Sequence, residues 1–193
     1  VRALVASPRR LVTNPAAPRY LTEQVPGVAQ NTVYSDLLAD GTNYLLGISN
    51  GTSGWDVTIL DRRDVHAMKR VGGLQIPQIT GFRGRLVGTR LYVAGQEGGV
   101  AVVDISDPAN PVLLSTLDTP GQAYGIDVSG ATVMTADRAV GVTFLDNSTT
   151  LRQTGAQFVG GDAWDVALGG TTLYIANEQG LALVTDVVAP PDI

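Results

Sequence analysis

The sequence predicts an all-β fold, a β-propeller of about four four-stranded blades, on two observations. First, the 193 residues include 23 glycines and 10 prolines, which interrupt every window that a helix would need and favour short strands joined by turns. Second, a unit of about 40 residues occurs four times. Each copy has a glycine before an apolar strand, and these anchor glycines are Gly41, Gly88, Gly130 and Gly170. Repeats of this length with four short strands are typical of propeller blades.

The strands follow the same order in each copy. One short strand precedes the anchor glycine and a second follows it. A third strand ends in aspartate, and a turn leads to a more polar fourth strand. The four aspartates are Asp61, Asp104, Asp146 and Asp186. An aspartate side chain can accept a hydrogen bond from the backbone two residues further on, so we expect these residues to begin the turns.

The repeats also predict how the chain is divided. The expected parts are an N-terminal extension at 1–17, propeller repeats over 18–188 with blades at about 30–73, 74–121, 122–161 and 162–188, and a tail at 189–193. The last copy lacks a fourth strand, whereas residues 18–27 match the fourth-strand pattern. Either this N-terminal strand completes the last blade and closes the ring, or the chain is part of a larger propeller.

One copy carries a recognisable motif. The segment "VAVVDISDPANP", residues 100–111, resembles the LVIVD repeat of bacterial and archaeal cell-surface proteins, in which an apolar run ends in Asp and a Ser-Asp-Pro-x-x-Pro turn follows. The other copies, "ILDRRDV", "FLDNSTT" and "LVTDVVAPP", keep the apolar run and the aspartate but lose most prolines. The resemblance implies a β-propeller that is usually exported, hence extracellular, at the cell surface or periplasmic. It implies no activity common to the family.

Composition narrows the classes of function. The net charge is −5 and no basic stripe is present, so nucleic acid is not an expected partner. No apolar run reaches the ~18 residues of a membrane helix, so we expect no membrane insertion. The chain has no cysteine and one histidine, His66, which excludes thiol nucleophiles and the usual zinc ligand sets. Composition therefore favours a protein that is not an enzyme.

The beginnings of the inner strands supply candidate ligand-binding residues. The first strand of each blade lines the central channel of a propeller, so aromatic and carboxylate side chains there could form a small polar site. The alternative is that the aromatic rings pack between blades and the aspartates hold turns. The candidates are Asp36, Phe82, Tyr124, Asp127, Trp164 and Asp165.

The loops between second and third strands form a second candidate surface, which we call the polar rim. Varied polar loops on a rigid scaffold suit recognition of a protein or glycan partner. The candidate rim residues are Asn50, Gln96, Glu97, Asp137, Arg138, Asn177 and Glu178.

Metal binding has one weak candidate. Asp104, Asp107 and Asn110 are three residues apart and offer the oxygen ligands that calcium prefers. The same side chains also form turns by themselves, and turn formation is the favoured interpretation. We therefore expect no cofactor, with calcium at these residues as the alternative.

These observations predict a non-catalytic binding or scaffold module of an exported or cell-surface protein, with a protein or glycan partner. One alternative is a hydrolase or lyase that uses the channel carboxylates Asp36, Asp127 and Asp165, because paired acids can perform acid–base chemistry without histidine. The other is a structural subunit of a cell-envelope assembly, with remaining blades supplied from elsewhere. That alternative predicts unpaired strands at the ends of the repeat array.

Overall fold

The computed structural model describes residues 25–28, 32–41, 43–49 and 56–187. This part of the chain contains fifteen strands and no helix. The strands are β1 (Tyr34–Ala39), β2 (Tyr44–Ser49), β3 (Val57–Asp61), β4 (Lys69–Leu74), β5 (Arg83–Val87), β6 (Arg90–Ala94), β7 (Val100–Asp104), β8 (Val112–Leu117), β9 (Gly125–Ser129), β10 (Thr132–Ala136), β11 (Val142–Asp146), β12 (Arg152–Gln157), β13 (Ala163–Gly169), β14 (Thr172–Asn177) and β15 (Gly180–Val184). Over the described ranges, no helix is long and apolar enough to span a membrane.

The strands form four antiparallel sheets in chain order. Sheet 1 contains β1 to β4, sheet 2 contains β5 to β8, sheet 3 contains β9 to β12, and sheet 4 contains β13 to β15. Each sheet begins with its inner strand and proceeds outwards, as in a propeller blade. The predicted all-β blade architecture is confirmed, and in the described residues the last sheet stops at its third strand.

The inner strands place the sheets side by side in an arc. β1 contacts β5, β5 contacts β9, and β9 contacts β13. The ring is not closed in the part of the chain that the structure describes. Of the segment predicted to close it, residues 18–24 lie outside the described residues, so closure by residues 18–27 stays a prediction. Next to them, the Pro26 carbonyl accepts a hydrogen bond from the Arg70 N–H of β4 at 3.0 Å.

Hydrophobic cores lie between neighbouring sheets. Leu91 and Val93 of β6 pack towards sheet 1, whereas Tyr92 and Ala94 pack towards sheet 3, because successive side chains of a strand point to opposite faces. A third core joins sheets 3 and 4. We call the side of a sheet that faces the preceding sheet its leading face, and the side that faces the following sheet its trailing face.

Aspartates begin the turns after the third strands, as the sequence predicts. Asp61, Asp104 and Asp146 each accept a hydrogen bond from the backbone N–H two residues further on, at 3.0, 2.8 and 2.8 Å respectively. Asp186 differs: it lies beyond the end of β15 and has a positive φ of 58°.

The outer strands share a β-bulge. In β4, β8 and β12, one residue has no direct partner on the third strand of its sheet, and these residues are Val71, Leu114 and Thr154. A bulge bends and twists an edge strand, so it hinders pairing with a further strand. The three complete sheets are thus protected at their outer edges.

Candidate functional site

Three aromatic rings form a continuous series across sheets 2, 3 and 4, which we call the aromatic ladder. Phe82 and Tyr124 directly precede β5 and β9, and Trp164 is the second residue of β13. The Phe82 and Tyr124 ring centroids are 4.7 Å apart at an interplanar angle of 58°. Those of Tyr124 and Trp164 are 5.5 Å apart and nearly perpendicular, at 87°. Such tilted and edge-to-face pairs are worth about 0.5–1.5 kcal/mol each, so the ladder joins the three sheets at one end of the channel.

Arg138 holds the last ring of the ladder in place. Its guanidinium carbon lies 3.9 Å from the Trp164 ring centroid and 5.1 Å from that of Tyr124. The same guanidinium forms an ion pair with Asp162 at 2.7 Å. The Arg138 backbone exchanges hydrogen bonds with Ala163 in the next sheet, at 3.2 and 3.0 Å. One side of the indole is therefore covered by a fixed cation, while 39% of Trp164 remains exposed.

A second rim loop has the same backbone arrangement. Gln96 of the β6–β7 loop exchanges hydrogen bonds with Ala123 at 2.9 and 3.0 Å. Gln96 and Arg138 have φ values of 52° and 50°, in the left-handed region that non-glycine residues adopt at a cost. Each of these loops is thus fixed against the beginning of the next inner strand, directly beside the aromatic ladder.

The structure places the predicted rim residues in different environments. Glu97 and Glu178 are exposed, and Glu97 accepts a hydrogen bond from Gln122 Nε2 at 3.2 Å. Asn177 is half-buried and donates from Nδ2 to the Val159 carbonyl at 2.8 Å. Asn50 lies outside the described residues.

Asp137 is fully buried in the same set of loops. Its carboxylate accepts hydrogen bonds from Thr119 Oγ1 at 2.7 Å, from the Gly121 N–H at 3.2 Å and from Thr143 Oγ1 at 2.7 Å. These donors come from the connection before sheet 3 and from β11. Asp137 therefore fixes the base of the loop, and its side chain is not presented to solvent.

The candidate channel carboxylates link neighbouring inner strands. Asp36 Oδ2 of sheet 1 accepts the Gly84 N–H of sheet 2 at 2.9 Å. Asp127 Oδ2 of sheet 3 accepts the Leu168 N–H of sheet 4 at 2.7 Å, and its Oδ1 lies 3.0 Å from Arg85 Nε. Both carboxylates therefore form contacts between neighbouring sheets. The sequence analysis had offered two other roles for these aspartates, a ligand site or the formation of turns.

The third channel carboxylate pairs with an arginine across the arc. Asp165 lies 3.7 Å from a terminal nitrogen of Arg83, which belongs to sheet 2. Between them, the equivalent position of sheet 3 is Gly125, where a Cβ atom would collide with Asp165. Sequence reasoning missed Arg83, although it stands five residues before its anchor glycine, as Asp36 and Asp165 do. That shared position was an available signal for charge pairing in the channel.

The candidate calcium ligands are used in the turn after β7. Asp107 accepts hydrogen bonds from Asn110 Nδ2 at 2.8 Å and from the Ala109 N–H at 3.0 Å. The Asn110 side chain, with smaller contributions from the backbone, lowers the pKa of Asp107. These hydrogen bonds are the ones expected if Asp107 and Asn110 form a turn, which is the interpretation that the sequence analysis favoured.

Comparison with solved structures assigns the fold class. The chain is similar to the computationally designed Ika4 protein, with 9% identity, a TM-score of 0.67, and coverage of 86% of this chain and 99% of that chain. It is similar to the WD40 β-propeller domain of Doa1, with 13% identity, a TM-score of 0.64, and coverage of 80% and 51%. It is also similar to the computationally designed Ika8 protein, with 12% identity, a TM-score of 0.59, and coverage of 78% of this chain and 45% of that chain. At these identities the likeness shows the fold alone, which is that of β-propeller blades.

The repeat itself is identified by its sequence. Residues 86–119 and 160–190 match the family model of the LVIVD repeat, which confirms the resemblance to LVIVD-repeat propellers. The first match contains the Ser-Asp-Pro turn of sheet 2, and the second covers the last copy, which has lost that turn. No curated protein sequence matches the chain significantly.

Proposed function

We propose that this chain is a non-catalytic binding module that recognises a protein or glycan partner through the aromatic ladder and the polar rim. A propeller of repeats generally suits a binding or scaffold role. One observation carries the proposal: Trp164 remains 39% exposed although Arg138 and Tyr124 fix its position. A rigid and partly exposed indole loses little conformational entropy on binding, which favours it as an anchor for a partner.

The surroundings of the ladder complement such an anchor. Glu97 and Glu178 are exposed on the adjoining loops, and Gln122 lies within hydrogen-bond distance of Glu97. Carboxylate and amide groups around an aromatic surface fit the hydroxyl groups of a glycan or the backbone of a protein loop. The LVIVD resemblance supports an extracellular, cell-surface or periplasmic location and a bacterial source, and we include both in the proposal.

The enzymatic alternative has weaker support. Asp36 and Asp127 are occupied by hydrogen bonds between sheets, and Asp165 faces Arg83. A general acid and base need to reach a substrate at hydrogen-bond distance. In this arrangement the carboxylates reach backbone and guanidinium groups of the chain itself.

The test uses the intrinsic fluorescence of Trp164. The chain has two tryptophans, so a Trp55→Phe variant leaves Trp164 as the single reporter. This variant is applied to a glycan array and to an array of extracellular protein domains. Each ligand retained is then titrated while Trp164 emission is recorded. Affinities of the variants are measured by isothermal titration calorimetry, because Trp164→Ala removes the reporter. Trp164→Ala and Arg138→Met are compared with Tyr174→Ala, which removes an aromatic ring of similar exposure outside the ladder.

We expect Trp164→Ala to weaken binding at least tenfold and Arg138→Met to weaken it several-fold, whereas Tyr174→Ala leaves it unchanged. The emission of Trp164 should shift on binding, because the ligand replaces water at the indole. A retained ligand that binds Trp164→Ala with undiminished affinity would contradict the proposal.

A further inference from the structure

The connection between sheets 3 and 4 presents a further aromatic ring to solvent. Phe158 directly follows β12 and is 63% exposed, whereas Val159 beside it packs against the core between the two sheets. The same connection leads into β13, where the exposed ring of Trp164 stands at the second position. Two exposed aromatic side chains therefore lie at the two ends of one short segment.

Side-chain amides hold this segment in place. The carbonyls of residues 158–160 each accept a hydrogen bond from an amide nitrogen, and the donors are Gln157, Asn177 and Gln179. Asn177 ends β14 and Gln179 belongs to the loop after it, so both tie the segment to sheet 4. Because the backbone that carries Phe158 is already fixed, little backbone entropy is lost when a partner covers the ring.

The same hydrogen bonds indicate which class of partner fits Phe158. Amide side chains around an aromatic ring can bind sugar hydroxyl groups when their donors are free. Here the amide nitrogens of Gln157, Asn177 and Gln179 each donate within the chain already. A phenylalanine ring with few free hydrogen-bonding groups around it fits an apolar side chain of a protein better than a glycan.

Free negative charge lies at the same end of the arc. Because the strands of each sheet alternate in direction, the loops between second and third strands and the connections between sheets share one end, which we call the ladder end. The arginines there are paired, since Arg138 lies 2.7 Å from Asp162 and Arg83 lies 3.7 Å from Asp165. Three exposed carboxylates at the ladder end belong to none of the ion pairs of the described residues, and they are Glu97, Asp118 and Glu178.

Most cations of the described residues lie at the opposite end, where third strands turn into outer strands and where the anchor glycines stand. They are Arg62, Arg63, Lys69, Arg70, Arg90 and Arg152. The carboxylates of the ladder end are therefore not neutralised by nearby cations, and they attract a positively charged partner.

We propose that the partner of the ladder end is a protein segment that carries a large apolar side chain close to a lysine or arginine, and that Phe158 is an anchor for it beside Trp164. The apolar side chain covers the Phe158 ring. The basic side chain pairs with Glu178, which lies against Gly161 of the same connection. This inference rests on the proposed function, which leaves protein and glycan partners open.

The first experiment applies the labelled 193-residue chain to a glycan array and to matched sets of short synthetic peptides. One set combines leucine or phenylalanine with arginine. A second set has glutamate in place of the arginine, and a third has serine in place of the apolar residue. We expect the chain to retain the first set only. Retention of glycans without the first set, or equal retention of the glutamate set, would overturn the inference.

The second experiment measures the affinity of one retained peptide by isothermal titration calorimetry. Phe158→Ser should weaken binding about tenfold because it removes an aromatic anchor, whereas Phe158→Leu keeps an apolar side chain and should keep most of the affinity. Glu178→Gln should weaken binding about threefold, as expected for one exposed ion pair. The controls lie at the opposite end and should change nothing: Val112→Ser removes an apolar side chain that is 56% exposed, and Asp107→Asn removes one negative charge.

A Trp164→Ala variant separates this inference from the proposed function. Loss of peptide binding in Trp164→Ala but not in Phe158→Ser would overturn the inference and leave the proposed function standing. Undiminished binding in both variants would contradict both. A loss in Phe158→Ser that Val112→Ser shares equally would also overturn the inference, because the place of the apolar side chain on the fold would then not matter.

Discussion

Replacing Asp137 by alanine tests whether the rim loops depend on one buried carboxylate. The substitution removes the acceptor of three hydrogen bonds, two from threonine hydroxyls at 2.7 Å and one from the Gly121 N–H at 3.2 Å. At about 1 kcal/mol net for each bond, the expected loss is about 3 kcal/mol of unfolding free energy. For a chain of this length that corresponds to a fall in Tm of roughly 6–12 °C.

The assay is urea unfolding followed by circular dichroism, with two comparison variants. Asp137→Asn keeps the shape and one oxygen acceptor, so we expect a smaller loss of about 1–2 kcal/mol. Asp107→Ala removes an exposed turn aspartate whose hydrogen bonds lie at the surface, and should cost at most about 1 kcal/mol. Neutral surface substitutions change the unfolding free energy by at most about 0.5 kcal/mol. If the unfolding free energy of Asp137→Ala lies within that range of the wild-type value, the carboxylate does not stabilise the loops and the reasoning is refuted.

Two further predictions concern packing and pH. Gly72→Ala places a Cβ atom against the Pro108 carbonyl oxygen and should lower the unfolding free energy, measured in urea, by about 2 kcal/mol. Gly155→Ala is the control and should be neutral, because the space around its Cβ atom is open. Equal effects of the two substitutions would contradict this account. Hydrogen bonds from Arg63 lower the pKa of Asp61 to about 2. The unfolded chain, with a pKa of about 4, then takes up the proton first, so this contribution to stability is present above pH 4 and is lost as pH falls towards 2. Asp61→Asn should therefore reduce the fall in Tm between pH 4 and pH 2, and an unchanged slope would show that the pair does not contribute.

The fold was predictable because its signals are local. Apolar strands after the anchor glycines and aspartates at the ends of third strands, such as Asp104, are read within one repeat. The hydrogen bond that the Asp104 carboxylate accepts from the Ser106 N–H needs no other part of the chain. Four repetitions of the pattern predicted the four sheets and the order of their strands. Completion of the last sheet by residues 18–27 stays a prediction.

The environment of individual site residues was not predictable in this way. Asp137 and Glu97 occupy loops of the same kind, yet only Asp137 is buried, because Thr119 and Thr143 reach it from other parts of the fold. The contact of Arg138 with Trp164 likewise joins two repeats. Such contacts depend on how neighbouring sheets are placed, which one repeat does not contain.

The position of the cores has a consequence for how such proteins change over evolutionary time. Each core belongs to a pair of adjacent sheets and to no sheet alone. Duplication of one repeat would therefore add a sheet together with the junction that stabilises it, while distant junctions stay as they are. Gene duplication can in this way change the number of repeats in steps of one, and each new repeat brings its own loop for mutation to diversify.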